Sequence, residues 1–475
     1  AGPQGLVAFK AELAGWIRHT QATAYNGKAP PQLVLVSPTA FQDLSQLYDT
    51  PDGVQENVNL ALYTSAMKEV AAAHRVSFVD VFSSTQQWFE ASPEPLTRDG
   101  ALLTDAGYAK LVPLLLDGIF GPSKRTAAPN PQALRSAVAE KNWLWQNFYK
   151  IPNGVHVFGR RHRPHGPKNY PAELKKLAQM LHVRDQAIWA ALSGKSLDLL
   201  AGDARTETLP DMGKPRARYQ PAQDATKTIA VPEGYQIELF ASDEQFPDLA
   251  NPVQLSFDNK GRLWIATMPS YPHYKPGDTK PNDKLLILED TDYDGKADKQ
   301  TVFADGLHLP MGFEFGPHGV YLSQGYSLVH LRDTDGDDRA DEKEIVLSGF
   351  DDHDTHHAIS AFCADPSGAI YLGEGTFLHS NVETAYGTIR SSNGGFFRYN
   401  PARRHLERSV RLSIPNPWGI AFDEWGQNFF ADTSDPNMRW MLPGSVRVGY
   451  GNFAPNPPNL LSVRVRPTSG LEFVS

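Results

Sequence analysis

Three histidines and an aspartate lie within five residues of the segment FDDHDTHHAIS, as His353, Asp354, His356 and His357. An imidazole titrates close to neutral pH, so a histidine beside an aspartate can act as a general base. We predict that His356 or His357 takes this role, with Asp354 as its partner. A shared metal ion is less favoured, because neighbouring residues of a strand point to opposite faces. A polar surface loop is the alternative interpretation.

Two acidic loops, DTDYDGKAD and DTDGDDRAD, carry carboxylates at offsets 1, 3, 5 and 9. The residues are Asp290, Asp292, Asp294 and Asp298 in the first loop and Asp333, Asp335, Asp337 and Asp341 in the second. Calcium takes about six to eight oxygen ligands, and carboxylates on alternate residues of a tight loop can converge on one ion. Gly295 suits the sharp bend at the sixth position, where the second loop has Asp338. We predict calcium in a structural role; hairpin turns closed by Asx hydrogen bonds are the alternative.

Further candidate residues follow two later apolar strands. They are Asn416 and Trp418 in NPWG, and Asp432, Asp435 and Arg439 in FADTSDPNMRW, of which Arg439 is the candidate catalytic cation. The single cysteine, Cys363, lies in the apolar segment AISAFCAD, so we expect a small buried side chain rather than a nucleophile.

The first 120 residues alternate between helix and strand patterns. These elements must position any functional residues of the amino-terminal region. FKAELAGWIRHTQATAY and NVNLALYTSAMKEVAAAHR are helical by period, whereas PQLVLVSP and VSFVDVF are continuous apolar strands. DAGYAKLVPLLLDGIF is a further helix. This alternation predicts an α/β domain with a parallel sheet.

From about residue 230 the pattern changes to short strands separated by Gly, Asp, Asn and Pro. LSFDNKGRLWIAT, FEFGPHGVYLSQ, FCADPSGAIYLGE and IAFDEWGQNFFAD share one plan of strand, glycine-containing turn and strand. The four segments begin at residues 255, 313, 362 and 420. Repeats of roughly 40 to 60 residues predict a β-propeller, and about four or five blades fit into the chain.

Length and charge limit the remaining possibilities. A chain of 475 residues exceeds one ordinary core, and its net charge of -9 argues against a nucleic-acid-binding protein. We predict an α/β domain over residues 1–125, a helical extension over 126–205, a linker over 206–229 and an incomplete propeller over 230–475. The chain is expected to be a fragment, since it opens without a first strand and ends within a strand pattern.

The carboxyl-terminal half resembles the propeller region of the bacterial membrane-bound dehydrogenase family. The segments that carry the resemblance are VPEGYQIELFASDEQF, NPVQLSFDNKGRLWIATMPSYP, DTDGDDRADE, GFDDHDTHH and NPWGIAFDEWGQ. Members resemble soluble sugar dehydrogenases that use pyrroloquinoline quinone (PQQ). The resemblance implies an exported periplasmic or extracellular protein, a sugar substrate, PQQ as cofactor and a c-type cytochrome domain downstream in the parent protein. It also implies that His356 or His357 is the base.

The first 200 residues resemble the SGNH (GDSL-like) hydrolase domain, through VLVSP, the DGALLTDAGY block and EKNWLWQNFYKIPNGVHVFGRR. In that family the final block supplies the Asp and His of a Ser-His-Asp triad. Asp99 matches the aspartate, but Leu102 stands where the histidine belongs. The resemblance therefore implies a degenerate α/β module without esterase activity, because a leucine cannot accept a proton from serine.

Three functional hypotheses remain open from the sequence. The first is a quinone-dependent sugar or alcohol dehydrogenase with a degenerate hydrolase-like domain. The second is an SGNH-type esterase acting on acylated glycans with the propeller as scaffold. The third is a non-catalytic polysaccharide-binding protein.

Overall fold

The computed structural model describes residues 2–122, 127–155, 170–209, 219–441, 451–455, 457–462 and 470–473. The chain divides into two compact units. The first comprises residues 1–126 with Thr384–Gly387 and Ala402–His405, and the second contains the rest. Part of the predicted linker, residues 210–218, lies outside the described residues.

The first unit is mainly helical. Its elements are α1 (Leu6–Gln21), β1 (Val34–Val36), α2 (Ser45–Tyr48), α3 (Val54–Ala73), β2 (Ser77–Val79), α4 (Val81–Ala91) and α5 (Asp105–Phe120). Helices begin at side-chain caps: the Asp80 carboxylate accepts the Ser83 N–H before α4, and the Thr104 hydroxyl accepts the Gly107 N–H before α5. Ile17, Leu35 and Val70 belong to its core.

The α/β prediction for this unit is confirmed only in part. Strands β1 and β2 pair in parallel, with Leu35 opposite Phe78. Among the described residues, however, this two-stranded sheet is the only parallel one, so the SGNH-like sheet is not found. The apolar run PQLVLVSP suggested a strand buried on both faces, yet Val36 is 39% exposed. The hydrophobicity of this segment could not show that β1 pairs with β2 alone among the described residues.

The second unit opens with helices. They are α6 (Pro131–Tyr149), α7 (Tyr170–Leu192), α8 (Leu199–Asp203) and α9 (Ala222–Thr226). Leu144 of α6 packs with Leu177, Met180 and Leu181 of α7 and with Tyr274. The guanidinium of Arg184, which is itself buried, pairs with Asp203.

Four four-stranded antiparallel sheets form the four blades of a β-propeller. Blade 1 contains β3 (Pro252–Phe257), β4 (Leu263–Thr267), β5 (Asp283–Glu289) and β6 (Lys299–Leu307). Blade 2 contains β7 (Phe313–Gly316), β8 (Gly319–Gln324), β9 (Ser327–Arg332) and β10 (Glu342–Ser348). Blade 3 contains β11 (Ser360–Ala364), β12 (Ile370–Glu374), β15 (Gly395–Asn400) and β16 (His405–Val410), with an inserted hairpin of β13 (Asn381–Thr384) and β14 (Gly387–Arg390). Blade 4 contains β17 (Gly419–Phe422), β18 (Asn428–Asp432), β19 (Asp435–Met441) and β20 (Asn459–Leu461).

The blades pack on one another through apolar side chains. One cluster joins blades 1 and 2 around Leu285 and Phe313, a second joins blades 2 and 3 around Leu328 and Phe397, and a third joins blades 3 and 4. The predicted propeller is thereby confirmed, with four blades among the described residues. Each of the four repeated segments is the first hairpin of one blade, and each acidic loop joins the third strand of a blade to its fourth.

The loop between blades 2 and 3 carries the predicted histidine cluster. It leaves β10, the last strand of blade 2, and enters β11, the first strand of blade 3. Strand β11 neighbours both β7 and β17, so the first strands of adjacent blades lie side by side. None of the described helices is both long and apolar enough to span a bilayer.

Candidate functional site

Asp354, His356 and His357 come together in a short 3₁₀ turn, Thr355–His357. A 3₁₀ helix has about 3.0 residues per turn, so His357 lies one turn after Asp354 and on the same side. The prediction that His356 and His357 point to opposite faces was wrong, because the segment is a 3₁₀ turn and not a strand. The strand β11 begins only at Ser360.

The carboxylate of Asp354 lies between the two imidazoles. Nδ1 of His356 is 2.6 Å from Oδ1 of Asp354, and Nδ1 of His357 is 3.2 Å from Oδ2. The two rings are 3.9 Å apart between centroids. Asp354 is fully buried and the side chain of His357 is 3% exposed, whereas that of His356 is 16% exposed. Only His356 therefore offers solvent a face of this cluster.

A chain of hydrogen bonds connects the cluster to blade 4. Nε2 of His357 lies 2.8 Å from Oδ1 of Asn416, whose amide nitrogen donates to Oγ of Ser434. The carboxylate of Asp432 accepts the backbone N–H groups of Asn416 and Ser434, at 3.1 and 3.0 Å. Because an amide oxygen can only accept, Nε2 of His357 must carry a proton.

The backbone of the turn is held by several neighbours. Oδ1 of Asn153 accepts both the N–H and the hydroxyl of Thr355, each at 2.8 Å. The indole of Trp418 donates to the carbonyl of His356, and the N–H of Gly375 donates to the carbonyl of His357. A Cβ at Gly375 would lie 2.9 Å from Cβ of His357, so only glycine allows this approach.

The electrostatics keep Asp354 ionised. Burial alone would raise the pKa of its carboxyl, but His356 and His357 hold that pKa well below its usual range. Both nitrogens of His357 face acceptors, so His356 is the better candidate for accepting a proton from a substrate. The sequence left this choice between the two histidines open.

Two further residues predicted from blade 4, Asp435 and Arg439, contact each other. Arg439 pairs with the carboxylate of Asp435 at 2.6 Å and donates to the carbonyl of Pro457. Its contacts are those of an ion pair within the blade.

Cys363 is partly buried against the core between blades 3 and 4, and burial raises the pKa of its thiol to about 12. The thiolate form is therefore rare.

Each acidic loop brings together three of its four predicted carboxylates. The groups are Asp290, Asp292 and Asp294 in the first loop and Asp333, Asp335 and Asp341 in the second. In the first loop Asp298 instead accepts the N–H and hydroxyl of Thr291. Convergent carboxylates fit a hard cation, but the same oxygens also accept backbone N–H groups, as expected of Asx turns.

The sixth position of both loops has the same backbone conformation. Gly295 and Asp338 have φ of +85° and +63°, and their N–H groups donate to Oδ2 of Asp290 and of Asp333. Asp338 also pairs with Arg262 at 2.8 Å. This ion pair is one contact that only the aspartate can make.

Asp99 of the first unit caps a turn. Its Oδ1 accepts the N–H groups of Ala101 and Leu102 at 2.9 and 2.8 Å. Within the part of the chain that the structure describes, no histidine forms an ion pair with Asp99. The role that the structure gives this carboxylate is local, in keeping with a leucine at position 102.

A family model described as a domain of unknown function, DUF7133, matches residues 221–466, just over half of the chain. The chain belongs to the DUF7133 family. The DUF7133 region contains all four blades, the Asp354 cluster and both acidic loops. No curated protein matches the chain.

Solved structures similar to the chain include several propeller proteins. The PQQ-bound aldose sugar dehydrogenase of Streptomyces coelicolor is 14% identical, over 47% of this chain and 71% of that one, with a TM-score of 0.30. The PQQ domain of a pyranose dehydrogenase from Coprinopsis cinerea is 13% identical over 43% and 47%, with a TM-score of 0.29. Regucalcin of Agrobacterium tumefaciens, a calcium-binding protein, is 15% identical over 42% and 54%, with a TM-score of 0.26. These similarities are too low to assign an activity.

The sequence did not identify every residue that builds the site in the DUF7133 region. Asn153, which holds Thr355, lies before that region in the chain. Ser434, which accepts from the Asn416 amide, was not singled out either. An amide or a hydroxyl does not indicate a functional role by its type alone.

Proposed function

We propose that the DUF7133 region is an oxidoreductase that oxidises a hydroxyl group of a sugar or alcohol at the Asp354 cluster. One observation carries the proposal: Nδ1 of the partly exposed His356 lies 2.6 Å from Oδ1 of the buried Asp354. A base held by a buried carboxylate is the arrangement that removes a proton from a poorly acidic group.

Oxidation of an alcohol removes the hydroxyl proton together with a hydride from carbon. In the proposed reaction Nε2 of His356 accepts the proton, and Asp354 at Nδ1 stabilises the resulting imidazolium. Asn416 and Trp418 keep the turn in position from blade 4. An electron acceptor must take the hydride, and the sequence resemblance implies that it is PQQ.

The described surroundings of the cluster do not fit that cofactor. PQQ carries carboxylates, which call for arginine or lysine partners. The partners of this cluster named above, Asn416 and Trp418, and the ring of Phe377 beside His357 are uncharged and supply neither. We therefore derive no step through PQQ. The hydride goes to a two-electron acceptor, which the assay supplies as an electron-accepting dye with or without PQQ.

The sequence resemblance supports further parts of this proposal. They are a periplasmic or extracellular location, a cytochrome partner downstream in the parent protein and a degenerate hydrolase-like module in the first unit. Calcium in the acidic loops is supported by the spacing of their carboxylates.

A dye-linked dehydrogenase assay on the full chain tests the activity. Sugars and alcohols are supplied with an electron-accepting dye, with and without PQQ and calcium. We expect His356→Gln to lower kcat at least about 100-fold, the usual contribution of a general base. The exposed His379 in the same blade provides the control, His379→Gln, which should retain activity. Equal turnover by both variants would refute the assignment of His356.

An exposed aromatic pair favours the binding hypothesis as a second candidate. The rings of Trp145 and Tyr149 on α6 are 6.5 Å apart and within 3° of parallel. Their exposures are 47% and 79%. Flat exposed rings can stack on sugar faces, so a glycan pull-down that weakens in Trp145→Ala would support non-catalytic binding.

A further inference from the structure

The Asp354 cluster has the composition of a metal site. One carboxylate and two imidazoles present ligand atoms that all lie within 4.8 Å of one another. We propose that Asp354, His356 and His357 bind one divalent transition-metal ion. This inference goes beyond the proposed function and holds whether or not the chain oxidises a sugar.

The spacing of the ligand atoms is close to that of a coordination sphere. Ligand atoms about 2.1 Å from a zinc ion stand about 3.0 to 3.4 Å apart at angles between octahedral and tetrahedral. The separation of His357 Nδ1 from Asp354 Oδ2 is 3.2 Å, within this range. The 2.6 Å between His356 Nδ1 and Oδ1 is shorter, so the His356 ring would move outward by a few tenths of an ångström. His356 is the most exposed of the three and the one best able to move.

The hydrogen bond on the far side of His357 prepares its Nδ1 as a ligand. Asn416 fixes the proton on Nε2, so in the neutral ring the lone pair of Nδ1 faces Asp354. Nδ1 of His357 lies 3.2 Å from Oδ2 of Asp354. A cation between the two atoms can contact both. Carbonyl partners of this kind orient metal-binding histidines in general.

The ligand set indicates the class of ion. Imidazole suits zinc, copper, iron and nickel, whereas calcium and magnesium prefer oxygen. Three protein ligands leave a coordination position open, as catalytic zinc sites do. The partial exposure of His356 provides the solvent side for that position.

The surrounding structure holds two of the ligands in a fixed backbone. Asn153 fixes Thr355 between Asp354 and His356, and the N–H of Gly375 fixes the carbonyl of His357. A preorganised turn loses little conformational freedom on binding an ion.

Occupation by a metal would change the role of His356 in the proposed function. As a ligand through Nδ1 it could not serve as the base. A hydroxyl bound at the open position would instead lose its proton because the cation lowers its pKa.

Metal binding to the full chain, without substrate, tests the inference. The protein is stripped with a chelator and titrated with Co²⁺ and with Zn²⁺ in millimolar calcium, which fills any competing sites in the acidic loops. We expect one Co²⁺ per chain with visible absorption of a nitrogen-containing site. His356→Gln should weaken binding at least about 100-fold, because loss of an outer partner alone costs about 10- to 100-fold.

Two further variants keep the test independent of folding defects. His379→Gln should bind the ion as the wild type does. Asn416→Leu leaves all three ligands in place and should weaken binding about 10- to 100-fold. Absence of binding, or equal affinity in the wild type and His356→Gln, would overturn the inference. A chain that binds the metal but oxidises no sugar would support this inference and refute the proposed function.

Discussion

Replacing the buried Glu374 with glutamine should remove a pH-dependent loss of stability. Glu374 is fully buried, and burial raises the pKa of its carboxyl to about 7, despite hydrogen bonds from Ser380 and Ser391. Its Oε1 has no hydrogen-bond partner among the described residues. An ionised carboxylate at this position would therefore have little to compensate for its lost hydration.

The sign and size of the effect follow from the two pKa values. Below about pH 4.5 the carboxyl is protonated in both the folded and the unfolded chain. Between 4.5 and about 7 the unfolded chain loses the proton while the folded chain keeps it, so the free energy of unfolding falls as pH rises. A difference of about 2.5 pH units corresponds to about 3 kcal/mol.

Urea unfolding of the wild type and Glu374→Gln at pH 4.5 and pH 8 measures this quantity. Glutamine does not titrate, so the variant should gain about 3 kcal/mol relative to the wild type between the two pH values. The exposed Glu383 provides the control, since Glu383→Gln should show no such change. A difference between wild type and Glu374→Gln that stays constant with pH would refute the reasoning.

Three further predictions concern calcium, the turn and the first unit. Millimolar calcium should raise the Tm of the wild type, and the double variant Asp290→Asn, Asp292→Asn should reduce the rise; an unchanged rise would exclude the first loop as a site. Asn153→Ala should lower the free energy of unfolding by about 2 kcal/mol, because the buried N–H and hydroxyl of Thr355 lose their acceptor; urea unfolding would measure this loss, and a neutral variant would contradict it. Neither the wild type nor Leu102→His should hydrolyse nitrophenyl acetate above background, because Asp99 is engaged by backbone N–H groups; turnover by either would show that the first unit is a hydrolase.

The hairpins could be predicted because their signals are local. Alternating strands separated by a turn containing glycine identified β3–β4, β7–β8, β11–β12 and β17–β18. The bend at Gly295 was predicted for the same reason, because a positive φ is least costly for glycine. The parallel sheet of the first unit could not be sized in this way, since the number of strands beside β1 depends on distant residues.

The Asp354 cluster shows where inference from sequence fails for a physical reason. Asp354, His356 and His357 were singled out by their types, but their geometry was assigned from the next strand, and a 3₁₀ turn reverses the conclusion about sharing an ion. What stabilises that turn is far away in sequence: Asn153 is 202 residues from Thr355, and Asn416 is 59 residues from His357. Both are neutral amides that attract no attention by type. Their importance comes from buried donors that would otherwise lack an acceptor, a requirement that exists only once the blades and the helical segment have packed within the second unit.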